Sequence, residues 1–407
     1  MTCQTMDGPG MADRARPAAV SPRVEVDARA AFLSPAEAAG LETEWRDLAA
    51  ASLERNPFYS PWMLIPALRL LPSESVEIAC VFDGESGGRR LLALAPVVPV
   101  KAYGRLPLRH LQTWMHPHCF FAAPLIRRGA EQAALRTLFA AIESHASRPS
   151  FLRLRHLGAD GPVASAARDA AMETGRAAHA SGAYQRALLE GGYGAEDYIA
   201  RVIRKKKRKE LNRLKNRLDD EGGAEFRALR QRSELDAWCT DFLGLEHAGW
   251  KGREKTSLAA SPAEARFFRE ALAGAFDAGA LEFYRLDKAG APIAMIVNFI
   301  EGGEGYSFKI AYDETHARFS PGVMIELEML KALEGYEALK FVDSCARKDH
   351  SMINSLWAER RNIAALNVSA PGIAGRGLLS GLKTLEEAAA YLRALREARR
   401  KEAGDDL

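Results

Sequence analysis

The chain spells one order of elements twice, and that repetition narrows the folds open to it more than any single motif. In the first pass, residues 35–51, with Trp45, carry helical periodicity; Asn56-Pro-Phe-Tyr-Ser-Pro61 follows, and a second helix runs through Leu71. Two strands come next, 76–82 and 91–100, joined across Asp83-Gly-Glu-Ser-Gly-Gly88, whose glycines suit a hairpin. In the second pass, helix 234–245 leads through a linker around Trp250 to helix 262–278. Strands 281–286 and 292–300 then meet at an Asp287-Lys-Ala-Gly290 turn. Each pass adds strand, loop, helix and strand: 121–126, 130–146 and 151–157 in the first, 306–311, 322–333 and 339–343 in the second. A chain of 407 residues, 47% of them hydrophobic, has the apolar material for two such units. The expected fold class is α/β, two tandem units, each a mixed sheet flanked by helices.

Between the passes, residues 195–219 contain neither Gly nor Pro and stop at Gly222-Gly223, which predicts one long helix. Its apolar positions Ile199, Ile203, Leu211, Leu214 and Leu218 share a face, interrupted by the cationic run Arg204-Lys-Lys-Lys-Arg-Lys209. Residues 1–22 read as a disordered leader, and 385–401 have helical composition. The expected division is therefore leader 1–22, first unit 23–180, second unit 181–372 with the basic helix 195–219, and helical tail 373–407.

Charge is nearly balanced, 56 basic against 53 acidic residues, so any attraction for phosphate has to come from local clusters. The run 204–209 is one such cluster. It reads as a solvated helix face, as a contact for the phosphate end of a ligand, or as a patch for anionic lipid at about 1 kcal/mol per residue. Five scattered cysteines without a CxxC pair fit a reducing compartment. The first 20 residues lack the apolar core of a secretory signal, and no window of about 18 residues is continuously apolar. The expected location is the cytoplasm, with contact to the inner membrane face through Arg204–Lys209.

The basic helix, then Glu246-His-Ala-Gly-Trp250-Lys251-Gly252 and Thr256, then Ala311-Tyr312-Asp313, Ser320-Pro321-Gly322 and Phe341-Val342-Asp343, form a recognisable succession. It resembles the CelD-like branch of the GNAT superfamily, related to the Fem-type aminoacyltransferases with tandem GNAT folds, over residues 24–371. The resemblance implies transfer of an acyl group from acyl-CoA, as co-substrate, to an amine. It leaves the acceptor open: a long-chain sphingoid base (ceramide synthesis), an amino sugar of the cell envelope, or a Fem-like acceptor with aminoacyl-tRNA as donor. Outside enzymes, the alternative is a nucleic-acid-binding or scaffold protein that retains only the fold. Nucleic acid is not the expected partner, and no metal is expected.

GNAT enzymes hold the CoA pyrophosphate on a basic, glycine-rich loop before a helix. The corresponding Arg318-Phe-Ser-Pro-Gly322 keeps only part of that pattern, which assigns Arg318, Ser320 and Gly322 to the donor. Lys309, on the preceding strand, is grouped with them as a residue that meets substrate or a carboxylate. An amine attacks a thioester only as the free base, so a proton acceptor is needed, and the departing thiolate takes a proton. Glu246, His247, Asp343 and His350 are candidates for the base and Tyr312 for the acid. Trp250 and Lys251, with Trp114, His116 and His118, are candidates for the acceptor side. His116-Pro-His118-Cys119 also invites a zinc reading, but no fourth ligand follows at usual spacing.

Overall fold

The computed structural model describes residues 27–84 and 90–404. The expected leader 1–22 and most of the 83–88 turn lie outside the described residues. The strands are β1 (Ala28–Leu33), β2 (Glu77–Asp83), β3 (Leu91–Val100), β4 (His110–Thr113), β5 (Leu125–Ile126), β6 (Phe151–Gly158), β7 (Ala178–Glu190), β8 (Glu225–Ala228), β9 (Leu281–Lys288), β10 (Ala291–Glu301), β11 (Glu304–Tyr312), β12 (Phe341–Asp343) and β13 (Glu359–Ser369). The helices are α1 (Pro35–Ala39), α2 (Glu42–Ala50), α3 (Pro61–Leu70), α4 (Glu131–Glu143), α5 (Pro162–Glu173), α6 (Ala195–Val202), α7 (Lys205–Asp220), α8 (Leu235–Ala248), α9 (Trp250–Arg253), α10 (Pro262–Asp277), α11 (Pro321–Glu334), α12 (Ser351–Asn354) and α13 (Gly372–Gly404).

The repeat survives as a tandem α/β arrangement, but its two expected sheets are one. The strand order is β1-β2-β3-β4-β6-β13-β7-β12-β11-β10-β9-β8, with β5 beside β3. Five strands of each half flank a central pair that has changed places. β7 follows β6 through α5 yet lies against β12, whereas β13 closes the second half yet pairs with β6. The expected boundary at residue 180 therefore falls inside β7. On one side the halves also join through α3 and α10. Gly274 permits their approach, since a Cβ there would lie 2.6 Å from Trp62 Cβ.

The segment 195–219 is two helices, because Ile203 adopts an extended backbone (φ −89°, ψ 119°) and buries its side chain in the core under α6, α7 and α11. The five cations 205–209 then open α7 at its positive end, with no acidic residue in that first turn, so local charge opposes a continuous helix. Residues 35–51 break at Gly40. Of the expected strand 121–126 only Leu125–Ile126 is in the sheet; residues 114–124 leave it after β4 and cross towards the second half.

Candidate active site

β11 and β12 run parallel and pair only over Glu304↔Phe341, Gly305↔Val342 and Tyr306↔Asp343. Beyond that point β12 stops while β11 continues to Tyr312, which opens a gap along the second edge of β11. The Asp313 N–H donates to Ile293 O (2.9 Å), so residues of its parity face β10 and Ile310 turns its N–H and C=O into the gap. In keeping with this, Lys251 Nζ lies 3.5 Å from Ile310 O. A bulge at Val297/Asn298 makes Phe308 an extra residue in β11, re-aiming the side chain of Lys309. The Lys309 ammonium lies 5.4 Å from the Phe308 ring centre and 6.0 Å from that of Phe120, which arrives on the crossing segment 114–124.

A polar cluster gathers here. Glu246, near the end of α8, is 3% exposed; its Oε1 accepts from Lys251 Nζ (2.8 Å) and its Oε2 from the Leu258 N–H (2.8 Å). Burial lowers the Lys309 ammonium to about 8; Glu246 opposes that shift and Lys251 adds to it. His118 stacks on Phe267 and sets Nε2 3.3 Å from Glu264 Oε2, while burial holds the imidazole below its usual range. His116 is 2% exposed, packed between Trp114 and Phe267, and burial followed by His118 brings it down to about 3. Trp114 is a core residue whose carbonyl accepts from the Tyr59 hydroxyl (2.6 Å). The Cys119 thiol donates to Phe121 O (3.2 Å). Among the described residues, no group of three or more His, Cys, Asp or Glu could hold a metal ion. Trp250 stands exposed at the edge of the cluster, its N–H on Glu314 (2.7 Å).

Other candidates sit elsewhere. Asp343 is fully buried between Arg186 (2.6 and 2.7 Å) and Arg361 (2.9 Å), and it accepts from the Cys345 N–H (2.9 Å). Burial alone would raise this carboxyl; the two guanidiniums outweigh it and hold Asp343 below the ordinary range. The group is thus held in a buried ion pair with both guanidiniums. His247 turns to the surface and meets Ser257 Oγ (2.9 Å), and exposed His350 caps α12 through the Ile353 N–H (3.4 Å). Arg318 is held by Glu221 (2.7 Å) and lies over Phe319, not over the start of α11. Ser320 takes a left-handed conformation there (φ 53°, ψ 53°) with no side-chain cap. Gly322 gives room to Tyr312, whose Cδ1 would lie 3.3 Å from a Cβ at that position.

Glu264 escaped the sequence reading because it stands three residues after Ser261, where its N–H donates to Ser261 Oγ (3.4 Å) in an ordinary helix cap. Arg186 carried a signal, a lone cation beside the apolar stretch Ala187-Leu188-Leu189.

Residues 205–347 match the profile of the acetyltransferase (GNAT) domain family. This segment is thus similar to GNAT domains. It contains β11, the gap, Glu246, Lys251 and Lys309. No curated protein sequence matches the chain. Among solved structures, FemX aligns at TM-score 0.51 and 10% identity, covering 84% of this chain and 98% of its own. The C-terminal domain of a protein assigned as a lysylphosphatidylglycerol synthetase from Agrobacterium fabrum aligns at 0.50 and 11%, covering 86% and 97%. A conserved protein of unknown function from Bacteroides thetaiotaomicron aligns at 0.50 and 12%, covering 82% and 97%. Each of these alignments runs across both halves, so the shared fold extends over more than four-fifths of the chain. Among the described residues no helix is long and apolar enough to cross a membrane.

Proposed function

We propose that the protein transfers an acyl group from acyl-CoA to a primary amine across the β11 gap. The observation that supports this reading is the unpaired edge of β11, into which the Ile310 N–H points and along which a thioester carbonyl would be seated. That N–H stabilises the oxyanion of the tetrahedral intermediate. Lys309, titrating near 8, is neutral in about one molecule in ten at pH 7 and takes the proton that the acceptor ammonium loses. Glu246, fixed by Lys251 and the Leu258 N–H, sets the charge state of Lys309. Tyr312, on the α11 side, donates to the departing thiolate, and the start of α11 at Ser320 and Gly322 receives donor phosphate through backbone and helix dipole.

The first acceptor to test is a long-chain sphingoid base, which would make the reaction a step of ceramide synthesis. Arg204, Lys205, Lys206 and Lys209, exposed around the start of α7, would then rest on anionic lipid. Incubation with palmitoyl-CoA and sphinganine, followed by thiol release and thin-layer chromatography, reads both. Absence of acyl-CoA binding by calorimetry would overturn the transferase reading; thiol release with amines other than sphinganine would overturn only the sphingoid assignment.

A further inference from the structure

Behind the gap lies a cavity of about 540 Å³ whose wall comes from both halves. Met115, Cys119 and Phe120 belong to the crossing segment, Tyr184 and Arg186 to β7, and residues 345–348 to the turn after β12. Ala187 and Leu189 pack in the core that contains α11, whereas Tyr184 lies against the other core. The cavity thus opens on the sheet face away from α11. Phe120 joins it to the gap, since the same ring lies beneath Lys309.

The ionised side chains lining this space are cationic: among the described residues no Asp or Glu lines it. Arg186 is neutralised by Asp343, but Arg347 and Lys348 stand exposed at the rim, and the carboxylate paired with Arg347 is Asp349, at 3.9 Å. Arg155, half-buried, has no carboxylate partner among the described residues and lies near enough to act on both Cys119 and His156. His156 reports the field: burial, then Arg155, Arg186 and Arg153, hold its imidazole down at about 4. Two lining residues, His156 (φ 42°) and Cys345 (φ 54°), hold a left-handed backbone that side chains rarely adopt. Such conformations persist where surrounding structure enforces a geometry that a site needs.

These cations offer nothing to a purely cationic acceptor such as sphinganine and favour one that also carries an anion, which narrows the sphingoid-base option to its anionic relatives. We propose that the amine acceptor also bears an anionic group, a carboxylate or a phosphate, held by Arg347 and Lys348 in the field of Arg155. The apolar body lies along Met115, Phe120 and Tyr184, and the amine reaches Lys309. This deepens the acyl-transfer reading and rests on it for the direction in which the acceptor enters.

Titration calorimetry of the full chain without acyl-CoA, using sphinganine, sphinganine phosphate and an α-amino fatty acid of matched length, tests the subsite. At least one anionic probe should bind about ten-fold or more tighter than sphinganine, and added salt should narrow the difference. The tighter of the two separates phosphate from carboxylate. Arg347→Ala with Lys348→Ala, both on the surface, should bring the anionic probe to the level of sphinganine and leave the KM for palmitoyl-CoA unchanged. Equal or tighter binding of sphinganine would overturn the proposal. So would an equal loss for all three probes, or a raised KM for palmitoyl-CoA, which would assign the cations to donor phosphate. Anion binding lost in the double variant, in a protein that transfers no acyl group, would sustain the subsite and refute the transferase reading alone.

Discussion

Replacing Asp343 by Ala separates a structural carboxylate from a chemical one. Its side chain is fully buried, contacts two guanidiniums and caps the Cys345 N–H. Arg361 would keep Glu54 (2.6 Å), but Arg186, 1% exposed, would be left with the carbonyl of Phe120 (2.8 Å) and the Tyr184 side chain, and with no carboxylate among the described residues. Leaving a buried charge without its partner costs about 3–5 kcal/mol, and the lost backbone cap adds about 1 kcal/mol. Against a total stability of about 5–15 kcal/mol, that loss removes a large share of the fold's margin. Urea unfolding followed by tryptophan fluorescence should show it, because Trp357 and Trp45 are buried in the two main cores. Asp343→Asn, which keeps the shape but not the charge, should lose stability in the same range. The pH dependence has the matching sign: with the folded carboxyl held low, its contribution is present above the unfolded value near 4 and disappears as pH falls through the folded one. A variant within about 1 kcal/mol of wild type that had nonetheless lost turnover would refute this reasoning and return Asp343 to the chemistry.

Lys309→Met should abolish an ascending limb near pH 8 in kcat/KM, and Glu246→Gln should move that limb to lower pH, because Glu246 opposes the lowering of Lys309; an unchanged limb in both excludes Lys309 as the titrating group. Burial raises the Glu326 carboxyl from 4.5 to about 8, so the folded chain holds a proton there that the unfolded chain releases, and stability falls as pH rises across that window. Glu326→Gln should flatten the slope and raise stability at pH 8 by about 4 kcal/mol, read from thermal melts across pH. Gly274→Ala puts a methyl group 2.6 Å from Trp62 Cβ and should cost about 1–3 kcal/mol by prying α10 from α3, checked by the same melts.

What the sequence by itself determined is local: which residues each segment must bury. Strand β3 begins and ends at the expected residues, and α10 within one, because period and turn chemistry are properties of neighbours along the chain. Glu246 and the Trp250-Lys251 turn entered as candidates through the family resemblance, and the structure brings them together beside the β11 gap. The break at Ile203 was not, since it is set by a core assembled from β7, β10 and α11, distant in the chain. Nor could spacing tell Asp343 from Glu246. Both are acids beside apolar segments, and both end in buried ion pairs: Asp343 with Arg186, 157 residues away, and Glu246 with Lys251, five away, at the edge of the β11 gap. The exchange of β7 with β13, and the crossing of residues 114–124 that turns two halves into one cavity, were decided by tertiary structure alone. A strand's alternation states which face it hides but carries no record of the edge it will meet, so partners across the sheet emerge only when the whole chain closes on itself.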